Sequence, residues 1–196
     1  MKTLLPAVVF IALMACAATL FAQKPGTTPP PTGRLDQMGL AASIDAATRS
    51  GDAIRFEQLT HEFLGAGKHN ALEYMNMQRR FTELWGDQKG FFRRTQTMVT
   101  RYAAGDPSLL NNAAWHTYEI VDDRQALRAA QDWAEESIYL SPAYYNYDTY
   151  AMISAKLGQR RKAVIFARTA IMLARMEGQD CRETEQVLNQ LTYGRP

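Results

Sequence analysis

The chain has 196 residues, of which 46% are hydrophobic and 21% are charged, and its formal net charge is +2. This length and apolar content suit one globular domain with a buried core. The near-neutral balance and the lack of a basic block with interleaved aromatic residues give no indication of a nucleic-acid partner or an acidic surface.

Residues 1–22 predict a secretory signal peptide. Lys2 gives a short positive start, an apolar run extends from Leu4 to Ala22, and polar Gln23 follows at once. The small side chain of Ala22 permits cleavage before Gln23. We therefore expect an exported chain, located in the periplasm or the cell envelope.

Two other interpretations of this segment stay open. Leu13-Met14-Ala15-Cys16 resembles a bacterial lipobox, in which Cys16 is lipidated and becomes the new N-terminus. The apolar run is also long enough for an uncleaved anchor, since a bilayer span needs ~20 residues. Cleavage before Gln23 would leave only Cys181. No intramolecular disulfide and no cysteine metal site is then expected.

Residues 23–34 predict an extended spacer. The run KPGTTPPPTG at positions 24–33 is rich in proline, glycine and threonine. Proline cannot occupy a helix interior, and this segment has no apolar side chains to bury. We therefore expect the folded part of the chain to begin near Leu35.

From Leu35 onward the pattern is helical, and turn signals recur at regular intervals. One set of turns, about 35 residues apart, begins at Gly51, Gly86, Asp122 and Gly158. A second set lies between them, at Gly65, Gly105, Ser141 and Gly178. Two interleaved series with this period indicate repeated helix–turn–helix units. They predict helices over 36–50, 53–64, 70–85, 88–104, 107–121, 124–140, 143–157, 160–177 and 181–192.

Two of the predicted helix starts carry a proline. Asp106 precedes Pro107, and an aspartate there can cap free backbone N–H groups while proline at the first helical position loses no needed donor. Ser141 before Pro142 is expected to repeat this arrangement.

The predicted helices are amphipathic, and their apolar faces contain many small residues. In helix 160–177 the apolar face comprises Ala163, Phe166, Ala167, Ala170, Ile171 and Ala174. Two helices approach closely only where side chains are small, so these alanines predict a tight helix pair.

These residues resemble the tetratricopeptide repeat. In 157–173, Gly158, Ala163 and Ala170 match the repeat's turn glycine and two of its small packing positions. The first helix of the same unit adds matches at Tyr147, Tyr150 and Ala151. The preceding unit adds matches at Trp115, Ala130 and Pro142. Ser137 departs from the pattern, because the repeat usually has alanine there.

The resemblance implies an all-α fold, a tetratricopeptide-like helix-pair solenoid of about four helix pairs plus a C-terminal cap helix. Residues 107–194 carry the repeats and the cap. Residues 35–106 match only in turn spacing, since they lack the leading tryptophan and the pairs of small residues. We interpret them as an N-terminal helical region of degenerate repeats.

A narrower resemblance covers residues 109–191. LNNAAWHTYE, DTYA and LGQRRKA resemble the helical C-terminal tail of exported thioredoxin-family proteins of the Bacteroidetes type. This resemblance implies an envelope location. It does not imply redox activity, because the chain has no CxxC motif and no βαβ pattern.

The sequence contains no recognisable catalytic or metal-binding motif. His61-Glu62 begins like the zinc-protease helix motif, but Gly65 stands where the second histidine is needed. No GxSxG, phosphate loop or GxGxxG occurs. We therefore expect neither catalytic residues nor a cofactor or metal.

The polar face of the first helices is the predicted binding surface. In tetratricopeptide arrays this face lines a concave groove that holds an extended peptide or a partner helix. Helical spacing places six residues on it, three in each of two successive units: Asn112, His116, Glu119, Tyr145, Asp148 and Met152.

Three hypotheses about function follow. The first is a noncatalytic exported adaptor that binds a protein or peptide partner on the concave helical face. The second is an accessory protein that uses its helical tail to dock a periplasmic thioredoxin-like redox enzyme. The third is an enzyme with an unrecognised site built from glutamate and tyrosine residues.

Overall fold

The computed structural model describes residues 37–194 of the chain, and within this range the fold is all-helical. The prediction of an all-α protein is therefore confirmed for these residues. The predicted signal peptide, Cys16 and the spacer lie outside the described residues. The nine α-helices of the described part are α1 (Gln37–Ser50), α2 (Ala53–Gly65), α3 (Ala71–Trp85), α4 (Gln88–Met98), α5 (Pro107–Ile120), α6 (Arg124–Leu140), α7 (Tyr144–Lys156), α8 (Arg160–Glu177) and α9 (Arg182–Tyr193).

The chain departs from regular α-helix at two places. A short 3-10 turn, Lys68–Asn70, leads into α3. The helix predicted over 88–104 ends its α-helical part at Met98 and continues as a π-helical turn, Val99–Ala103. This turn keeps Met98, Val99 and Ala103 buried in the core cluster that they share with α3 and α5.

Aspartates begin four of the helices. Asp52 Oδ1 accepts a hydrogen bond from the backbone N–H of Arg55, and Asp87 does the same for Gly90. Asp106 accepts from Leu109 N, and Asp123 accepts from two N–H groups of α6. Each cap satisfies donors that have no partner inside the helix. The cap predicted at Asp106, with proline at the first helical position, is confirmed.

The expectation that Ser141 caps the next helix is wrong. Helix α7 begins at Tyr144, after Ala143, and no side chain caps it. The buried Asn146 instead donates from Nδ2 to the Ser141 carbonyl, 2.6 Å away, and to the Ser137 carbonyl, 3.3 Å away. This asparagine ties the end of α6 to the first turn of α7.

Helices α5 to α8 form two close pairs with alanine-rich seams. The most extensive contacts in the described chain join α7 to α8 and α5 to α6. Ala163, Ala167 and Ala170 on α8 are fully buried. The Phe166 ring stacks on the Tyr150 ring of α7 at a centroid distance of 4.0 Å. The predicted role of these residues in pairing the two helices is confirmed.

Helices α1 to α4 pack through larger side chains. The Phe56 and Phe81 rings are buried and stacked with centroids 4.3 Å apart. A buried polar network crosses the same region: Gln78 donates to Thr60 and accepts from Arg94, whose guanidinium also pairs with Asp87. The small-residue seams of α5 to α8 are thus replaced here by aromatic stacking and side-chain hydrogen bonds.

Helix α9 packs on the last pair. Cys181 immediately precedes it, is buried, and packs with Ile171 and Ala174 of α8. Leu188 of α9 and Tyr144 of α7 lie against the same cluster. Cys181 therefore has a structural place in the junction between α8 and α9.

Candidate binding face on helices α5, α7 and α9

Helices α5, α7 and α9 together form an open cleft. Helix α7 contacts both α5 and α9. The cleft between them has a volume of about 460 Å³, and we call it the α5–α7–α9 cleft. Its lining residues are Tyr118, Glu119, Met152, Ala155, Lys156, Val187 and Gln190. Apolar side chains and charged groups therefore meet in one accessible depression.

The structure places the six predicted site residues in different environments. Glu119 and Met152 line the cleft, although Met152 is only 3% exposed. Tyr145 is 42% exposed at the start of α7. His116 is 8% exposed, so its ring lies mostly inside the protein. Asn112 is half-buried, and Asp148 is half-buried beneath α9. Of the six, Glu119 and Tyr145 present the most accessible surface.

Glu119 belongs to an ion-pair network on this face. Its Oε2 lies 2.7 Å from Nη1 of Arg79, whose Nε pairs with Glu83 at 2.7 Å. His116 Nδ1 lies 3.5 Å from the same Glu119 oxygen. Burial lowers the pKa of His116, and the opposing attraction of Glu119 is smaller. The imidazole is therefore neutral at physiological pH, and the Glu119 carboxylate is held mainly by Arg79.

Asp148 is engaged with the last helix. Thr184 of α9 donates from Oγ1 to Asp148 Oδ1 at 2.7 Å, and the Tyr144 hydroxyl lies 3.1 Å from the same Thr184 oxygen. Burial raises the pKa of Asp148, while the hydrogen bond from Thr184 acts in the opposite direction. Asp148 therefore holds α9 against α7 and has no cationic partner among the residues that the structure describes.

Lys156 fastens α7 to the end of α5. Its Nζ donates to the carbonyls of Tyr118 (2.8 Å) and Val121 (3.0 Å). It also pairs with the Asp122 carboxylate at 3.0 Å and lies 5.4 Å from the centre of the Tyr118 ring. One ammonium thus satisfies carbonyls that the end of α5 leaves without helical partners.

Sequence reasoning missed part of this face. Val187 and Gln190 line the cleft from α9, a helix that was assigned only a capping role. Tyr118 and Lys156 were also not singled out. The sequence does contain a signal for α9. If the spacing of the predicted helix pairs is continued past α8, α9 becomes the first helix of a further pair, on the same face as α5 and α7.

Neither a metal cluster nor a membrane-spanning helix is found in the described part of the chain. No three His, Cys, Asp or Glu side chains between residues 37 and 194 come together as ligands for an ion. No helix in that range is both long and apolar enough to cross a bilayer. Comparisons with protein-family models, with curated proteins and with solved structures find no match for this chain.

Proposed function

We propose that the protein is a noncatalytic exported adaptor built on a tetratricopeptide-like solenoid. The turn period near 35 residues and the alanine seams of α5–α6 and α7–α8 support this architecture. In it, α1 to α4 form two looser pairs and α9 is the cap. Stability then comes mainly from contacts between neighbouring units.

The adaptor binds a protein or peptide partner in the α5–α7–α9 cleft. The observation that carries this proposal is the cleft itself, which is open and is lined by three helices, α5, α7 and α9, that alternate along the chain with α6 and α8. Side chains from separate units can read successive positions of an extended chain. A partner held in this way needs no catalytic group and no cofactor.

A matched pair of substitutions tests this function. Ala155 is half-buried and lines the cleft, so Ala155→Arg fills it. Ala129 is half-buried on α6 and does not line it, so Ala129→Arg makes the same chemical change elsewhere. Tagged full-length chains are expressed, and captured proteins are identified by mass spectrometry. We expect a discrete partner with the parent and with Ala129→Arg, but not with Ala155→Arg.

Two results would contradict the proposal. One is that a folded Ala155→Arg variant, which melts at the parent temperature, captures the same proteins as the parent. The other is capture of no protein above the level of an untagged control by any of the chains. Asp148 is unsuitable for this purpose, because its removal would also break the contact with Thr184.

Export is tested on the mature chain. Cleavage before Gln23 predicts that the intact mass is that of a chain beginning at Gln23 and that this chain is recovered from the periplasm. Lipidation of Cys16 predicts a lipid-modified N-terminus and a membrane fraction. A chain that keeps Met1 and stays in the cytoplasm would contradict export altogether.

A further inference from the structure

Helix α8 carries a row of arginines on the face that points away from its buried alanine seam. Arg161, Arg168 and Arg175 are exposed and stand seven residues apart, an interval that returns to nearly the same side of an α-helix after two turns. We call them the arginine row. In the part of the chain that the structure describes, only Arg175 has a carboxylate partner, Glu185 of α9 at 2.7 Å. Arg161 and Arg168 therefore present positive charge that the protein itself leaves uncompensated.

Apolar side chains lie beside the arginine row. Ile165, Met172 and Met176 are 60%, 53% and 76% exposed. Ile165 follows Arg161 by four residues, and Met172 follows Arg168 by four, which is the spacing of neighbouring side chains on a helix surface. Single exposed apolar residues need no explanation, but three along one helix face form a contiguous strip that marks a docking surface.

An open groove lies between this face and α9. Its volume is about 710 Å³, and we call it the α8–α9 groove. The residues that carry the argument line it from α8 and α9: Arg168, Ile171, Met172, Arg175, Met176 and Leu188. The one carboxylate in the lining, Glu185, is already paired with Arg175. The groove therefore combines an unpaired cation, Arg168, with apolar side chains directly beside it.

The regular spacing fits an α-helix as the occupant. Seven residues of α-helix rise about 10 Å, so the arginines recur at that interval along α8. Two helices that pack side by side return to equivalent positions about every seven residues. A partner helix can therefore place one carboxylate beside each arginine and an apolar row against the methionines.

The positive charge is confined to about the width of one helix. Helix α6, which packs against the same α7, exposes three carboxylates, Asp132, Glu135 and Glu136. Among the described residues, none of these three has a cationic partner. The change of sign between the two helices favours a narrow acidic segment over an extended anionic surface such as a membrane.

We propose that the α8–α9 groove binds an acidic amphipathic helix of a partner protein, with carboxylates along the arginine row and apolar side chains against Met172 and Met176. Opposite charges select this occupant, because like charges juxtaposed across an interface are rejected. Apolar anchors at helical spacing hold it, as in other helix-in-groove interactions. The groove shares no lining residue with the α5–α7–α9 cleft, so it is a second docking surface, beyond the proposed function.

Three labelled peptides test this inference by fluorescence anisotropy with the full chain. Each has about 20 residues, which is long enough to form a helix. The first carries glutamate at every seventh position and leucines on the adjoining face, the second replaces each glutamate with lysine, and the third replaces each leucine with serine. We expect the leucine–glutamate peptide to bind best, and its affinity to fall as salt is added because exposed charges are screened.

Two matched pairs of variants separate charge from apolar contact. Arg168 lines the groove and Arg128 lies on α6, and both are exposed without an ion-pair partner among the described residues. Arg168→Glu turns an attraction into a repulsion, so we expect it to weaken the leucine–glutamate peptide about fivefold, or about 1 kcal/mol. Arg128→Glu should leave the affinity unchanged. Met176→Ser should also weaken binding, whereas Met38→Ser, at a similarly exposed position of α1, should not.

Three results overturn the inference: equal or tighter binding of the leucine–lysine peptide, equal effects of Arg168→Glu and Arg128→Glu, or no peptide bound by the folded chain. Another occupant overturns it as well. That result would be association with phosphatidylglycerol vesicles, or dimerisation of the chain, that Arg168→Glu alone disrupts while the leucine–glutamate peptide does not bind. Ala155→Arg fills the cleft and not the groove, so it should leave peptide binding intact. The proposed function and this inference can therefore fail independently.

Discussion

Gly90 is a position at which adding a single methyl group should destabilise the fold. It lies in the first turn of α4, where its N–H donates to the Asp87 carboxylate at 3.0 Å. A Cβ built on Gly90 would collide with the Asp87 carboxylate and approach the Arg94 guanidinium. The Arg94 side chain is only 4% exposed, and Asp87 is its close ionic partner at 2.9 Å.

The expected cost of Gly90→Ala follows from opposing contributions. Alanine in a helix is favoured over glycine by about 1 kcal/mol. Displacing Asp87 removes an N-terminal cap worth about 1 kcal/mol. It also leaves a buried arginine without its main carboxylate, a loss of about 3 kcal/mol once the partial exposure of Asp87 is considered. The net expectation is a destabilisation of about 3 kcal/mol.

Gly65→Ala is the matched control. Gly65 is also helical, at the end of α2, and nothing lies within 4 Å of a Cβ added there. We expect this variant to be neutral or slightly stabilised. In thermal unfolding followed by circular dichroism, Gly90→Ala should melt about 6–10 °C below the parent, by the usual relation between free energy and melting temperature. A Gly90→Ala variant as stable as Gly65→Ala would refute the assigned role of the Asp87–Arg94 pair.

Three further substitutions, the first with a matched control, test the packing and the residues around the cleft. Ala163→Glu, at a fully buried seam position, should lower the free energy of unfolding in urea by about 3 kcal/mol or more. Its control, Ile165→Glu, lies at a 60% exposed position of the same helix and should change stability by under about 0.5 kcal/mol. Asp148→Asn keeps an Oδ1 acceptor for Thr184 and should raise the melting temperature at neutral pH, because burial raises the pKa of this carboxyl and makes its ionised form unfavourable in the fold. The gain should shrink as pH falls through the raised pKa and vanish below the ordinary value of 3.8; a gain that does not change with pH would contradict this reasoning. Lys156→Met should lower the free energy of unfolding in urea by about 1 kcal/mol, since the Tyr118 and Val121 carbonyls lose their donor. An unchanged urea midpoint would show that water replaces the lysine.

The helix boundaries could be predicted because local chemistry determines them. Asp52, Asp87, Asp106 and Asp123 each cap the helix that follows, and a cap depends on neighbours within three residues. The alanine seam of α8 is equally local, since its spacing is visible within one helix. The expectation at Ser141 was wrong because α7 begins only at Tyr144, three residues after the serine, where the hydroxyl is too early in the chain to cap it.

The environment of the candidate site could not be predicted in the same way. Spacing within α5 and α7 places His116 and Met152 on a common face, but their burial depends on neighbouring helices that the spacing does not contain. The contact between Asp148 and Thr184 spans 36 residues of sequence. Such pairs follow from how whole helices pack, and no local pattern in the sequence specifies them.

Site-directed photocrosslinking in the living cell tests whether a partner occupies the α5–α7–α9 cleft. A photoreactive amino acid is placed at Ala155, in the α5–α7–α9 cleft, or at Ala129 on α6, and adducts are detected after irradiation. We expect a discrete protein adduct from position 155 and none from position 129. Adducts from position 129 but not from position 155 would contradict the claim that this cleft binds the partner.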